Sequence, residues 1–158
     1  MPVEEDPMQL RQWLSELSFH TDGEGFTDIT AAINNEIAKS GISIGLASFH
    51  VKHTSCSLTV NENADPRVLR DLAAYLQALV PQQGFRSLTG DGERQRYLHD
   101  DEGPDDMPAH IRTALTATGL QLSVQGGALL LGTWQAVYLW EHRARSQRRR
   151  LSLHLIGS

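Results

Sequence analysis

The nine residues from His53 to Asn61 read HTSCSLTVN and alternate between two kinds of side chain. The odd positions are all polar, namely His53, Ser55, Ser57, Thr59 and Asn61. The even positions after Thr54 are apolar, namely Cys56, Leu58 and Val60. Because successive side chains of a β-strand point to opposite faces of a sheet, the alternation predicts a strand with its even side chains in the core. The opposite face would then carry a row of hydrogen-bonding groups that begins with the His53 imidazole.

Helical and strand patterns alternate on both sides of this stretch. Before it, we predict strands over residues 9–19 and 44–51, with a helix from Asp28 or Thr30 to about Lys39 that Gly41 ends. After it, Asp65-Pro66 opens a second helix, and a third runs over residues 107–118. The last forty residues predict strands over 120–124, 128–131, 133–141 and 151–156, with Gly126-Gly127 as a hairpin turn.

Runs of strands with helices between only some of them favour an α+β fold over a parallel βαβ sheet. We therefore expect one compact domain over residues 1–158, with mixed or antiparallel sheets and about three helices. A chain of 158 residues is long enough for one real hydrophobic core. We expect residues 1–7 to form a flexible tail.

Composition and charge restrict the class of protein. The chain is 40% hydrophobic and 21% charged, which is typical of a globular protein. No apolar run approaches the ~20 residues that span a bilayer, so we expect no membrane contact. A net charge of -5 argues against general nucleic-acid binding, which depends on clustered basic residues. An acidic N-terminus without a signal-peptide pattern, together with the single Cys56, predicts a cytoplasmic protein.

The segment from Gln82 to Asp106 has neither helical nor strand periodicity, although it lies between two periodic elements. Such long segments inside compact domains are uncommon and are usually functional or disordered. This one carries seven acidic residues, with His99 in its middle, and leads into the third helix, which presents His110 near its start. We expect it to be a loop that brings His99 and His110 to His53.

Three imidazoles with an open position are the ligand set of a catalytic zinc site. A helix N-terminus disfavours the charged imidazolium, so His110 would stay in the neutral form that binds metals. The same helix end also suits an anion such as phosphate. The spacing of the histidines matches no short zinc motif, and ordinary scattered histidines are the alternative.

Two other features have simpler interpretations. Cys56 shares its predicted strand face with Leu58, opposite His53, and we expect a buried, inert thiol rather than a nucleophile. Five arginines lie between the last two predicted strands, at positions 143, 145, 148, 149 and 150. We expect them to form a solvated hairpin, with a phosphate clamp as the alternative.

Several of these stretches together resemble the YjbQ family, a widespread family of uncertain function whose members are sometimes labelled secondary thiamine-phosphate synthases. The matching stretches are His53-Thr54-Ser55, Asn61-Glu62-Asn63-Ala64-Asp65-Pro66 with Asp71, Tyr97-Leu98-His99, Glu102 to Ile111, Gly127, Gly132-Thr133-Trp134-Gln135 and Glu141. In this order and spacing they are highly specific, and they cover the chain from about Trp13 to Gly157.

The resemblance implies a homotrimer with a cleft lined by His53, His99 and His110. It also implies a weak synthase activity that joins a hydroxymethylpyrimidine diphosphate to a thiazole phosphate with loss of diphosphate. We therefore expect a small phosphorylated substrate, with the three histidines holding a divalent metal or the phosphate itself. Asp71 or Glu62 would act as the base or would orient the ligands.

The metal and the reaction stay open at this point. Imidazoles suit zinc-like ions, whereas magnesium prefers oxygen ligands, so zinc is favoured and magnesium remains an alternative. Two other functions compete with the synthase. One is a metal-dependent hydrolase of unknown substrate, and the other is a non-catalytic trimeric module that binds a ligand.

Overall fold

The protein is described by a computed structural model that covers residues 9–158, and the predicted tail, residues 1–7, lies outside the described residues. Over this range the chain forms three helices, α1 (Thr30–Ser40), α2 (Pro66–Leu79) and α3 (Asp106–Leu115). The strands are β1 (Arg11–Thr21), β2 (Gly25–Asp28), β3 (Ile44–Val51), β4 (Cys56–Glu62), β5 (Phe85–Arg86), β6 (Arg94–Gln95), β7 (Gly119–Gln125), β8 (Ala128–Leu129), β9 (Gln135–Glu141) and β10 (Gln147–Gly157). The predicted α+β class is confirmed.

The described strands pair antiparallel in two main sheets and one small hairpin. The larger sheet has the order β1-β10-β3-β7-β8, and the smaller one has the order β2-β9-β4. The hairpin pairs β5 with β6 inside the acidic segment, which was expected to lack strands. None of the helices within residues 9–158 is both long and apolar enough to cross a membrane.

The hydrophobic core lies between the two main sheets and also receives α1. The larger sheet contributes Leu151, Leu153 and Leu155, which are the alternate residues of β10 and are fully buried. Ile33 and Ile37 of α1 and Leu58 and Leu139 of the smaller sheet join the same cluster. Period-two alternation therefore selects the core residues of β10, whereas β9 in the smaller sheet is buried at every position from Ala136 to Glu141.

The helix and turn signals are mostly confirmed. Gly41 ends α1 with φ 69°, in the left-handed region that favours glycine. The Asp65 side chain caps α2 by accepting a hydrogen bond from Arg67 N, and Pro66 occupies the first helical position. Gly126 and Gly127 both have positive φ and join β7 to β8 in the predicted hairpin.

The arginine-rich stretch is not a hairpin, so that prediction was wrong. β9 belongs to the smaller sheet and β10 to the larger one, and the chain between them crosses from one sheet to the other. Arg143 and Arg149 are buried rather than solvated. Each forms an ion pair with a buried carboxylate, and this pairing offsets the cost of burying the charge.

Candidate functional site

His99, Asp106 and His110 form the one group of potential metal ligands that the described residues contain. One ligand atom of each lies within 4.8 Å of those of the other two. His99 Nε2 is 3.3 Å from Asp106 Oδ2, and His110 Nε2 is 3.4 Å from Asp106 Oδ1. The two imidazole rings have centroids 5.2 Å apart. The structure thus brings two of the three predicted histidines to one carboxylate.

Helix geometry places Asp106 and His110 together. The helix α3 begins at Asp106, one residue earlier than predicted, so Asp106 and His110 are four residues apart on one face. His99 comes from the preceding loop. The position of that loop is fixed by a hydrogen bond from the Tyr97 hydroxyl to Pro81 O, at 2.9 Å. The long acidic segment therefore delivers His99 to the N-terminal end of α3.

Asp106 is completely buried and remains ionised through its neighbours. Arg143 Nη1 donates to Oδ1 at 2.8 Å, and the backbone N–H of Glu102 donates to Oδ2 at 3.1 Å. Burial by itself would raise the pKa of this carboxyl, but these hydrogen bonds and the Arg143 charge outweigh it and lower the pKa below the ordinary value. Asp106 thus presents a fixed negative charge to both imidazoles.

His53 lies close by but outside this group. It occupies the bend before β4 rather than the strand itself, so the predicted strand position was wrong. The cause is local: its Nδ1 accepts a hydrogen bond from Ser55 N at 3.2 Å, and this contact competes with the strand ladder. His53 and His110 both line a cleft of about 450 Å³. A second cleft, of about 460 Å³, is lined by His53 together with Glu102, Arg143 and Arg145.

Burial lowers the pKa of His53, and the positive charges of Arg149 and Arg143 lower it further. His53 is therefore held toward its neutral form.

A buried polar network lies behind His53. Glu141 is fully buried and accepts hydrogen bonds from Arg149 Nε at 2.7 Å and from Thr21 Oγ1 at 2.8 Å. Arg149 also donates to Ser55 Oγ at 2.9 Å, and Ser55 Oγ is 3.0 Å from His53 Nδ1. Burial would raise the pKa of Glu141, but the bonds from Arg149 and Thr21 reverse this and lower it. The network connects a buried ion pair to an exposed imidazole.

Glu62 and Asp71 are not part of either cluster. Glu62 ends β4 and its Oε1 accepts from Asp65 N at 3.3 Å. Six residue steps along a strand separate it from Cys56, which corresponds to about 20 Å from the end of β4 near His53. Asp71 is an exposed residue of α2. Within one chain β4 therefore separates Glu62 from His53, and Asp71 is not in the group formed by His99, Asp106 and His110.

Cys56 matches its predicted role. It is fully buried, and burial raises the pKa of its thiol to about 11. Such a thiol remains protonated and unreactive at neutral pH.

Sequence reasoning gave Asp106 and Glu141 no role in the site, and it expected Arg143 and Arg149 to lie in a solvated hairpin. The spacing of Asp106 and His110 by four residues at a helix start was a usable signal. Arg149 shares its parity with Leu151, Leu153 and Leu155, so extending the alternation of the last strand by one more residue pair was a usable signal for its burial. Arg143 lies in an irregular crossover, and no local pattern identifies it.

Comparisons of the sequence with known proteins all indicate the same protein family. The family described as UPF0047 protein YjbQ-like matches residues 15–158. The chain is 44% identical over 147 residues to a UPF0047 protein of Synechocystis sp., with 93% of each chain covered. It is 38% identical to the UPF0047 protein YjbQ of Escherichia coli O157:H7, with 89% of this chain and 95% of that one covered.

A solved structure agrees with these matches. It belongs to an uncharacterized conserved protein of the YjbQ/UPF0047 family from Clostridium acetobutylicum, which is 33% identical to this chain. The two superpose with a TM-score of 0.71, and the match covers 88% of this chain and 98% of the other. The chain therefore belongs to the YjbQ (UPF0047) family.

Proposed function

We propose that this protein is an enzyme acting on a small phosphorylated molecule, and that a divalent, zinc-like metal ion binds between His99, His110 and Asp106. The observation that carries the proposal is the convergence of three ligand atoms within 4.8 Å around a buried, ionised carboxylate. The three side chains come from a loop and a helix start, and Arg143 of the crossover donates to the central carboxylate, which favours a specific site over a chance cluster of acidic residues.

The spacing of the ligand atoms supports a metal. Two ligands bound tetrahedrally at zinc distances of about 2.1 Å are about 3.4 Å apart. His99 Nε2 lies 3.3 Å from Asp106 Oδ2 and His110 Nε2 lies 3.4 Å from Oδ1, so each imidazole is at such a spacing from its own carboxylate oxygen. Two imidazoles with one carboxylate are also the donor set of zinc hydrolases and of non-haem iron enzymes. Magnesium, which prefers oxygen ligands, fits this set less well.

The ion would supply Lewis-acid charge that polarises a phosphoryl oxygen. Arg143 would hold the Asp106 carboxylate in place, because metal ligands depend on such outer partners for their orientation. The adjoining cleft, with His53, Arg143 and Arg145 in its wall, offers donors for a phosphate group.

Two reactions are in question for this site. One is the thiamine-phosphate-synthase reaction, with loss of diphosphate, and the other is hydrolysis of a phosphate ester. The donor set favours hydrolysis, because dedicated diphosphate-displacing chemistry relies on oxygen-bound magnesium. A non-catalytic ligand-binding module would use the same cleft without turnover.

Metal analysis of protein purified without an affinity tag tests the proposal first. We expect close to one zinc-like ion per chain in the wild type and a loss of metal in the His99→Ala and His110→Ala variants. His154→Ala is the matched control, since His154 lies on β10 with Gln12 as its partner. Absence of bound metal after incubation with zinc, or retention in both variants, would contradict the site.

An activity screen then separates the reactions. Metal-free, zinc-loaded and magnesium-loaded protein would be assayed for release of diphosphate from the pyrimidine substrate and of phosphate from a panel of monoesters. We expect phosphate release that requires zinc and is abolished by His99→Ala. Diphosphate release above background would instead support the synthase, and ligand binding without turnover would support the module.

We also propose that the chain assembles as a homotrimer. The outer face of the larger sheet exposes a group of apolar side chains, namely Leu14, Ile44, Leu46 and Ile156. Ile156 and Leu46 are direct cross-strand partners, so these two side chains lie side by side. Such patches are typical of interaction surfaces. Light scattering should give three times the chain mass, and Leu46→Lys should reduce it.

A cytoplasmic location is proposed on the cysteine content. The single Cys56 cannot form an internal disulfide, which suits a reducing compartment. Fractionation of cells that produce the protein would test it.

A further inference from the structure

The three histidines differ in which ring nitrogen is available. His53 Nδ1 accepts a hydrogen bond from the backbone N–H of Ser55 at 3.2 Å. A backbone amide can only donate, so Nδ1 must offer its lone pair. In the neutral imidazole the proton then lies on Nε2.

A second contact enforces the same arrangement. Ser55 Oγ receives a hydrogen bond from Arg149 Nη2 at 2.9 Å. Arginine has donors only, so the hydroxyl keeps its own hydrogen for His53 Nδ1, which is 3.0 Å away. Ser55, Arg149 and Glu141 are all buried, so the chain of hydrogen bonds is shielded from water and is fixed.

This arrangement is opposite to that of a metal ligand. Metal-binding histidines donate the hydrogen of one ring nitrogen to a protein acceptor and give the other lone pair to the ion. His53 instead accepts from the protein, and its exposed ring leaves an Nε2–H free of any hydrogen bond within the described chain. It also lies outside the group formed by His99, Asp106 and His110.

We propose that His53 is not a metal ligand but an Nε2–H donor to a phosphoryl oxygen of the substrate, and that Ser55 and Arg149 are the positioning residues that fix this tautomer. The inference deepens the proposed function and rests on it for the identity of the anion. The same cleft wall carries Arg145, an exposed guanidinium that supplies a second donor. The phosphate would thus lie between His53 and Arg145, beside the metal ligands.

The tautomer itself is measurable without any substrate or metal. Long-range 1H–15N NMR of the metal-free protein should show a protonated, pyrrole-type Nε2 and a pyridine-type Nδ1 for His53. In Ser55→Ala one of the two donors to Nδ1 is lost, and we expect the Nδ1–H tautomer to gain population while Nε2–H stays the major form, because the backbone N–H of residue 55 still donates to Nδ1. Ser57→Ala is the matched control, because this neighbouring buried serine contacts His142 instead. A purely structural role for Ser55 would leave the tautomer unchanged.

Binding measurements test the role. We expect His53→Ala to weaken binding of inorganic phosphate roughly tenfold or more. His53→Gln should keep most of the affinity, because its amide places an N–H near the position of Nε2. Zinc affinity, by contrast, should be unchanged in both variants and lost in His99→Ala.

Three results would overturn the inference. They are a His53 that carries its proton on Nδ1, phosphate binding that is indifferent to His53→Ala, and a loss of zinc in His53→Ala equal to that in His99→Ala. Failure of the proposed function would give a different result. The wild type would then bind no zinc, whereas the His53 tautomer and the effect of His53→Ala on phosphate binding would be as expected.

Discussion

Two buried carboxylate–arginine pairs lie close together in this protein, and they differ in how many hydrogen bonds their carboxylate oxygens accept. Glu141 and Arg149 join β9 to β10, and the Glu141 oxygens are fully occupied by Arg149, Thr21 and two backbone N–H groups. Asp106 pairs with Arg143, but its oxygens also face the imidazoles of His99 and His110. A saturated carboxylate is structural, whereas one whose oxygens also face two imidazoles, one exposed and one half-buried, is suited to bind a ligand.

The two pairs are also coupled through one residue. The Arg143 backbone N–H donates to Glu141 Oε2 at 3.1 Å, while its guanidinium donates to Asp106. The structural pair therefore fixes the backbone from which the arginine of the site projects. We therefore expect a substitution of Glu141 to disturb both carboxylate–arginine pairs, and a substitution of Asp106 to disturb only its own pair.

The largest effect is expected from Glu141→Gln. Removing one charge of a buried pair leaves Arg149 unpaired, which costs about 3–5 kcal/mol of the free energy of unfolding. Urea denaturation would measure it. Glu16→Gln is the matched control, because Glu16 pairs with Lys52 at the surface and its loss should leave the midpoint unchanged. Equal midpoints for both variants would show that the buried pair is not structural.

Acid should destabilise the protein through His142, next to the structural pair. Burial, and then the charge of Arg112, lower its pKa from 6.5 to about 4. Between these values the unfolded chain binds a proton that the folded chain does not, so stability falls as pH drops from 6.5 toward 4. The shift corresponds to about 3 kcal/mol.

Denaturation at a series of pH values would measure this slope. His142→Gln keeps a hydrogen-bonding group toward Ser57 but does not titrate, so its slope in this window should be shallower. An unchanged slope would assign the acid sensitivity to other groups. Glu141 and Asp106, whose pKa values are lowered, contribute stability that is lost only at still lower pH.

At the second pair, Asp106→Asn should weaken zinc binding by more than the roughly 10–100-fold typical of a residue that only orients a ligand, because the neutral amide removes the charge of a proposed ligand. Calorimetric titration with zinc would measure it. Asp100→Asn is the control, since Asp100 is an exposed acid of the same loop. If both variants bind zinc as the wild type does, Asp106 does not contribute to metal binding, and the proposed difference between the two pairs is wrong.

The smallest effect is expected at Cys56, beside the structural pair. Its buried thiol should not react with a thiol reagent in the native protein. Labelling should become faster in Glu141→Gln, which loosens this region, and stay slow in Asp106→Asn. Fast labelling of the wild type would show that the region opens readily.

The sequence predicted most of the fold, because its strand and helix signals are local. The alternation around Leu58 and the glycines at 126 and 127 each report on the backbone of their own neighbourhood. The site was predicted only in part. The sequence indicated a group of His53, His99 and His110, of which His99 and His110 lie together at Asp106. Arg143 owes its place to a crossover between sheets, and non-local contacts of that kind produce no periodic pattern in the sequence.

The location of Arg143 on that crossover has a consequence for folding. The segment takes its final position only when the two sheets have joined, so the Asp106 site cannot exist in a chain with separated sheets. An ion bound there would favour the assembled state over all others and add RT ln(1 + [ion]/Kd) to the unfolding free energy. The concentration of the metal ion would then determine the stability of the folded protein as well as its activity.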